Sequence, residues 1–128
     1  MPHITLEYSD NLEFDVQSLL ADLHHALTST GAVDLKGIKS RAVCRTDYRI
    51  ADGDERYAFV HAGLLVREGR PPEVKQAMVD NSMEALKNAF GSRFEGGYLS
   101  LSVDLKEMQA GTSVTLHNIP AGGIMPSE

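Results

Sequence analysis

The fold is decided by 3-HITLEYSDNLEFDVQSLLADLHHAL-27, a stretch in which the spacing of apolar residues changes once. Its first seven residues alternate between apolar and polar, with Ile4, Leu6 and Tyr8 on one side, which is the pattern of a half-buried strand. Further on, apolar residues recur along one helical face: Val16, Leu19, Leu20, Leu23 and Leu27. The stretch therefore predicts a strand and then an amphipathic helix, with Asp15 as N-cap and Gly31 near its end.

The following segments repeat the strand signal twice. Residues 37–51 (GIKSRAVCRTDYRIA) predict a long second strand, residues 52–55 a turn, and residues 56–69 a third strand. Two prolines after Arg70 then open a second helix, because the first-turn N–H groups of a helix have no helical partners to lose. The apolar stripe of that helix consists of Val74, Ala77, Met78, Ala85, Leu86, Ala89 and Phe90.

The last clear element is a fourth strand, in which Leu99, Leu101, Val103 and Leu105 alternate with polar residues. The order is therefore two β-α-β units in one domain, residues 1–128. Right-handed connections would place both helices on one face of a four-stranded sheet, an α+β fold. The other sheet face is expected to be partly apolar, which favours an obligate homo-oligomer with its sheets facing inward. Residues 111–128 predict a short strand or an arm packed on another subunit.

Composition excludes several classes of partner. The formal net charge of −6 argues against a general polyanion-binding surface, so no nucleic-acid partner is expected, although a local arginine cluster could still bind a small anion. Cys44 is the only cysteine and is interpreted as a packed core thiol. No apolar run reaches membrane-spanning length and no secretory signal is evident, so a cytoplasmic protein without a membrane partner is expected.

Pro2 has two interpretations. Proline is tolerated at the first residue of a strand, where it has no further role. Alternatively, Met-Pro favours removal of Met1, which would leave a free secondary amine. An α-amino group has an ordinary pKa of about 7.7–8.0, and burial in an apolar pocket lowers it, so this amine could act as a base near neutral pH.

Arginines provide the candidate anion-binding groups. Arg41 and Arg45 lie four residues apart in a predicted strand and therefore share a face, which Arg49 would join if the strand continued that far. Arg70 precedes a helix N-terminus, where the unpaired N–H groups already favour anions. A guanidinium there can bind a carboxylate in bidentate fashion. The alternative for each arginine is a solvated surface charge.

The histidines do not form a metal site, because none of the five has metal-ligand spacing to another. His24 and His25 are interpreted as surface residues, and His61 as a hydrogen-bonded interior or interface residue. The sequence also lacks a phosphate loop, a dinucleotide-binding glycine motif and a nucleophile elbow. No metal and no organic cofactor are expected.

Several segments together resemble the 5-carboxymethyl-2-hydroxymuconate isomerase family of the tautomerase superfamily. They are MPHITLEYSDNLE at the start, GIKSRAVCR in the second strand, and ADGDERYAFVHAGLLVREGR leading into the second helix. The similarity extends from Pro2 to about Glu107, and the tail from Gly111 matches poorly. The resemblance implies a trimer with active sites between subunits, a free N-terminal proline as proton shuttle, and no cofactor.

The resemblance also implies a substrate and residue roles. The family's substrate is a dianionic or trianionic dienol from bacterial meta-cleavage of homoprotocatechuate, which is isomerised to the unsaturated ketone. Pro2 would be the acid and base, and Arg41, in the SR motif, would bind a carboxylate or polarise the 2-oxygen. Arg70, in the GR motif, would bind the other end of a small dicarboxylate, and Phe59 would form an apolar wall that lowers the pKa of the proline.

One departure decides whether that chemistry is available. If Met1 stays attached, the Pro2 nitrogen is an amide and cannot be a base. The alternatives are a related tautomerase of another 2-oxo acid, a non-catalytic trimeric binding homologue, and a ferredoxin-like dimeric binding module.

Overall fold

The computed structural model describes residues 2–124, which form one four-stranded sheet and two long helices. The elements are β1 (His3–Ser9), α1 (Val16–Thr28), β2 (Lys39–Arg45), β3 (Ala58–Arg67), α2 (Pro72–Glu95) and β4 (Leu99–Met108). The strand order is β2-β1-β3-β4, with β1 parallel to β2, β3 parallel to β4, and β1 antiparallel to β3. Since α1 and α2 also contact each other, both helices cover one sheet face, and the predicted α+β fold is confirmed.

The change of period at the start of the chain produces α1 as predicted. The side chain of Asp15 accepts a hydrogen bond from the Ser18 N–H at 3.0 Å, which satisfies one unpaired donor of the first turn. The helix ends at Thr28, and Gly31 follows with φ of +78°, a left-handed conformation that a side chain would disfavour. The N-terminal β-α unit is therefore bounded by local signals.

The core lies between the sheet and the helices. The sheet contributes the alternating residues Ile4, Leu6, Ala58, Val60, Ala62, Leu64 and Val66, and the helices contribute Leu19, Leu20, Leu23, Ala26, Leu27, Met78, Ala85, Leu86 and Phe90. Burial of each large side chain stabilises the fold by about 1.5–3 kcal/mol relative to its exposed state. Pro2 belongs to the same buried set, being less than 2% exposed. Ala89, predicted in the α2 stripe, is exposed instead.

The second strand is shorter than the sequence predicts. It ends at Arg45, so Arg49 does not join the arginines of β2 and instead donates a hydrogen bond to the Asp52 carbonyl at 3.0 Å. The prediction of a core thiol at Cys44 is wrong, since this residue is exposed. The physical reason is that β2 is an edge strand, and Cys44 lies near its end where α1 covers it little.

The face of the sheet away from the helices, called the open face, is mostly polar and, as predicted, partly apolar. It carries the alternate residues His3, Thr5 and Glu7 of β1, Lys39, Arg41, Val43 and Arg45 of β2, Phe59, His61, Gly63, Leu65 and Arg67 of β3, and Ser100, Ser102, Asp104, Lys106 and Met108 of β4. Ion pairs and hydrogen bonds link many of the polar side chains of this face.

The tail after β4 forms an arm with little regular structure. A short 3-10 turn at Ala110–Thr112 is followed by an extended segment in which Val114 is 95% and Leu116 98% exposed. The rest of the predicted arm, residues 125–128, lies outside the described residues. Within residues 2–124, neither helix is long and apolar enough to cross a membrane.

Candidate active site

Pro2 lies at the end of the sheet where β1 and β2 begin and β3 ends. Its carbonyl accepts a hydrogen bond from the Lys39 N–H at 3.1 Å. The register that pairs His3 with Leu65 brings Pro2 beside the last residues of β3. We call this edge, marked by Pro2, Lys39 and Arg67, the proline end of the sheet. The predicted removal of Met1 concerns a residue outside the described range.

Arg41 lies on the open face near the proline end. It is level with Thr5 of β1, and its Nη2 donates a hydrogen bond to His3 Nδ1 at 3.0 Å. A guanidinium has only donors, so His3 Nδ1 must carry a lone pair and the imidazole is neutral in this contact. Burial, together with the charges of Arg41 and Lys39, lowers the pKa of His3 below its ordinary value of 6.5.

Arg45 shares the open face with Arg41 but has a different partner. Its Nε donates to Glu7 Oε2 at 2.9 Å, and both side chains are partly exposed. Such exposed pairs contribute at most about 1 kcal/mol to stability. The pair compensates the charge of Arg45, whereas Arg41 has no carboxylate partner among the described residues and keeps its positive charge available.

Arg70 lies just past β3, before the N-terminus of α2. Its Nη1 donates to the Arg67 carbonyl at 3.0 Å, and its Nη2 donates to the Ala32 carbonyl at 3.4 Å. A carbonyl at the end of β3 and another in the segment between α1 and β2 therefore hold the guanidinium without cancelling its charge. A cavity of about 380 Å³ is lined by Ala32, Arg67, Glu68, Gly69 and Arg70.

The proline end concentrates positive charge in an acidic protein. Lys39 and Arg41 come from the start of β2, while Arg67 and Arg70 come from the end of β3 and the loop after it. The chain as a whole has a formal net charge of −6. These four cations, with Glu68 beside Arg67 and Arg70 in the same cavity, favour binding of a small molecule with carboxylates at this end of the sheet.

Phe59 lies at the other end of the sheet. Its N–H donates to Ser9 Oγ at 3.0 Å, at the end of β1 farthest from Pro2. Seven residues of β3 separate Phe59 from Val66, a distance of about 23 Å at the rise of an extended strand. Pro2, Arg41 and Arg70 therefore share one region of a single chain, and Phe59 does not belong to it.

Sequence reasoning gave no chemical role to His3, although it touches a predicted site residue. The alternation of β1 and β2 indicates that His3 and Arg41 lie on the same face of the sheet. Their contact, however, depends on the strand register, which sets His3 beside Lys39 and leaves Arg41 within reach. His24 was interpreted as a surface residue, yet it is half-buried, and its Nε2 lies 2.7 Å from Ser40 Oγ.

His61 is hydrogen-bonded, as predicted. Its Nδ1 lies 2.6 Å from Ser102 Oγ, and its Nε2 lies 3.1 Å from Asp104 Oδ1. This cluster joins β3 to β4 on the open face. As for metal ligands, no group of three or more histidine, cysteine, aspartate or glutamate side chains within residues 2–124 is arranged to hold an ion.

The chain is similar to known isomerases over most of its length. The family model described as 5-carboxymethyl-2-hydroxymuconate isomerase matches residues 2–121. The 5-carboxymethyl-2-hydroxymuconate Delta-isomerase of Escherichia coli is 33% identical over 123 residues, which cover 94% of this chain and 98% of that protein. The resemblance inferred from the sequence motifs is thereby confirmed.

Solved structures share the fold. The crystal structure of a 5-carboxymethyl-2-hydroxymuconate isomerase from Deinococcus radiodurans R1 superposes with a TM-score of 0.86 at 34% identity, covering 91% of this chain and 90% of that one. A structure described as a fused 4-OT wild-type symmetric trimer has a TM-score of 0.64 at 16% identity, covering 94% and 97%. The second similarity supports the fold alone.

Proposed function

This chain belongs to the 5-carboxymethyl-2-hydroxymuconate isomerase family and is an isomerase, and from that premise we propose that it converts 5-carboxymethyl-2-hydroxymuconate to the unsaturated ketone with Pro2 as acid and base. The observation that carries the proposal is the burial of Pro2 at the sheet end where Lys39, Arg41 and Arg67 also lie. A proline and a cluster of cations supply the two things that this proton transfer requires.

Pro2 is suited to be the base once its nitrogen is a free amine. Its ring is less than 2% exposed, and burial disfavours the charged ammonium form. A cation close to the nitrogen, such as Lys39 on the neighbouring strand, would disfavour that form further. The neutral amine is then available near neutral pH to take the proton of the 2-hydroxyl group and return it to a carbon farther along the conjugated system.

The arginines would hold the substrate and stabilise charge. As the hydroxyl proton leaves, negative charge develops on the 2-oxygen and spreads through the dienolate. Arg41 would bind a carboxylate or polarise this oxygen, and Arg70 would bind the carboxylate at the other end. Because Arg70 already contacts two backbone carbonyls, its guanidinium needs little ordering when the substrate binds. The proton that leaves the oxygen is the proton that arrives at carbon, so no co-reactant is needed.

The proposal extends to a homotrimer with active sites between subunits. Within one chain, Phe59 lies about 23 Å from the proline end, so it can shield Pro2 only from a neighbouring copy. An apolar wall supplied across an interface would exclude water from the amine. Each subunit would then contribute its proline end to one site and its Phe59 end to another.

The function is tested by ultraviolet absorbance with purified 5-carboxymethyl-2-hydroxymuconate. Mass spectrometry first establishes that the preparation begins at Pro2. The proposal predicts loss of dienol absorbance and gain of enone absorbance at a rate proportional to the protein concentration. A preparation that begins at Pro2 and leaves the dienol unchanged beyond its spontaneous rate would contradict it.

A further inference from the structure

We propose that His3 is a positioning residue for the reaction: by accepting a hydrogen bond from Arg41, it directs the guanidinium toward the proline end and so sets the affinity for the substrate. This inference rests on the proposed function, which assigns Arg41 to the substrate. The contact that carries it joins Arg41 Nη2 to His3 Nδ1 over 3.0 Å.

Besides the hydroxyl of Thr5, Arg41 has two candidate partners on β1, one in each direction along the strand. It is level with Thr5, so His3 lies two residues toward the proline end and Glu7 lies two residues away from it. Two residues of an extended strand correspond to about 7 Å. The choice of partner therefore decides whether the guanidinium points toward Pro2 or away from it.

Arg45 removes the competing partner. It is level with Ser9 of β1 and reaches two residues toward the proline end to bind the Glu7 carboxylate over 2.9 Å. With Glu7 engaged by Arg45, the acceptors of β1 within reach of Arg41 are the Thr5 hydroxyl and the His3 imidazole, and Arg41 contacts His3. The two arginines of β2 thus both lean toward the proline end but have different partners, and only Arg41 contacts a neutral one.

The contact requires a neutral imidazole, because a protonated His3 would have no lone pair at Nδ1 and would repel the guanidinium. The groups around His3 favour the neutral form. Lys39 is beside it on β2, Leu65 is opposite on β3, and Lys106 follows on β4.

The two nearest carboxylates of the open face are already engaged elsewhere. Glu7 binds Arg45, and Asp104 lies 3.1 Å from His61 Nε2. Burial and the neighbouring cations keep the pKa of His3 below 6.5, in agreement with the hydrogen bond. The contact is therefore intact at neutral pH and is lost as the pH falls through the pKa of the folded protein.

The kinetic test compares His3→Ala with His3→Asn. The alanine variant removes the acceptor, and we expect KM for the dicarboxylate substrate to rise about tenfold at pH 7.5, with kcat changed much less. Asparagine can offer Oδ1 at the place of Nδ1, and we expect it to restore KM to within about threefold of the wild type. Its KM should also be unaffected by protonation of residue 3, whereas the wild-type KM should rise as the pH falls through the pKa of His3, which lies below 6.5. The control is His25→Asn, which replaces an exposed histidine of α1.

Three outcomes would overturn the proposal: an unchanged KM in His3→Ala, an asparagine variant no better than alanine, or a wild-type KM that does not rise in acid. A second measurement does not depend on turnover. Nitrogen-15 NMR of the wild type should show His3 with its proton on Nε2, and Arg41→Ala should raise the pKa of His3. If the enzyme proves inactive but these NMR results hold, the proposed function fails and the His3–Arg41 contact stands. If the His3 titration is unchanged in Arg41→Ala, the contact itself is refuted.

Discussion

At the scale of single residues, the site depends on which cations are compensated and which are free to bind substrate. Arg45 is paired with Glu7, whereas Arg41 contacts neutral His3 and Arg70 contacts only backbone carbonyls. The guanidinium groups of Arg41 and Arg70 are therefore available to bind a carboxylate of the substrate, whereas that of Arg45 is already paired. The sequence identified Arg41 and Arg70 as candidates through the SR and GR motifs, but it did not reveal their partners, which depend on strand register and loop packing.

The role of Arg70 can be tested by substitution. Arg70→Ala should raise KM for the dicarboxylate about tenfold or more and have less effect on a monocarboxylate analogue, because the second carboxylate loses its partner. Arg70→Lys keeps the charge but not the planar bidentate donor set, so an intermediate KM is expected. Steady-state kinetics with both substrates provide the measurement. Equal losses for the two substrates would show that Arg70 does not select the second carboxylate.

At the scale of elements, the periodic segments were predictable and the strand ends were not. The change from period 2 to the helical period gave β1 and α1, and the Asp15 cap was read from its position before the apolar face. The spacing of apolar residues did not predict that β2 ends at Arg45 or that Cys44 is exposed. Both depend on β2 being an edge strand that α1 covers incompletely.

The contact between α1 and β2 provides a prediction about pH. His24 Nε2 lies 2.7 Å from Ser40 Oγ, and burial lowers the pKa of His24 below 6.5. Below pH 6.5, His24 binds a proton more readily in the unfolded chain than in the folded chain. The free energy of unfolding should therefore decrease as the pH falls from 7.5 to 5.5. His24→Gln keeps an amide near Ser40 without titrating, and it should make this decline smaller.

Thermal unfolding followed by circular dichroism at pH 7.5 and 5.5 is the measurement, with protein concentration held constant. His3 contributes a decline of the same sign, since its pKa is also lowered, so some pH dependence should persist in His24→Gln. His25→Gln, an exposed neighbour on the same helix, is the matched control. If His24→Gln and the control lose stability equally in acid, burial of His24 does not contribute to the pH dependence.

At the scale of the whole molecule, the two ends of the sheet have different candidate roles. The proline end carries Pro2 and the free arginines, and the other end carries Phe59 with its ring 5.9 Å from that of Tyr48. The motif resemblance grouped Pro2 and Phe59 without regard to their separation. Only the antiparallel pairing of β1 with β3 reveals that one chain holds them apart. A complete site therefore requires more than one copy under the proposed trimer.

Mixed assemblies test this arrangement. Pro2→Ala chains and Phe59→Ala chains should each have reduced activity alone. When they are co-expressed, some interfaces combine an intact Pro2 from one chain with an intact Phe59 from the other, so activity should recover above the average of the two single variants. Size-exclusion chromatography with light scattering should show a trimer in every sample. If the mixed trimers show no recovery of activity, or if the protein is a dimer in solution, the active sites are not shared between the subunits of a trimer.

Proton transfer by the Pro2 amine is tested by measuring kcat for Pro2→Ala beside a wild type whose N-terminus is confirmed by mass spectrometry to be Pro2. General acid–base catalysis contributes about 10²–10⁴-fold, so we expect kcat to fall by about 10²-fold or more while the assembly and the thermal midpoint stay unchanged. A Pro2→Ala enzyme with wild-type kcat would contradict the account.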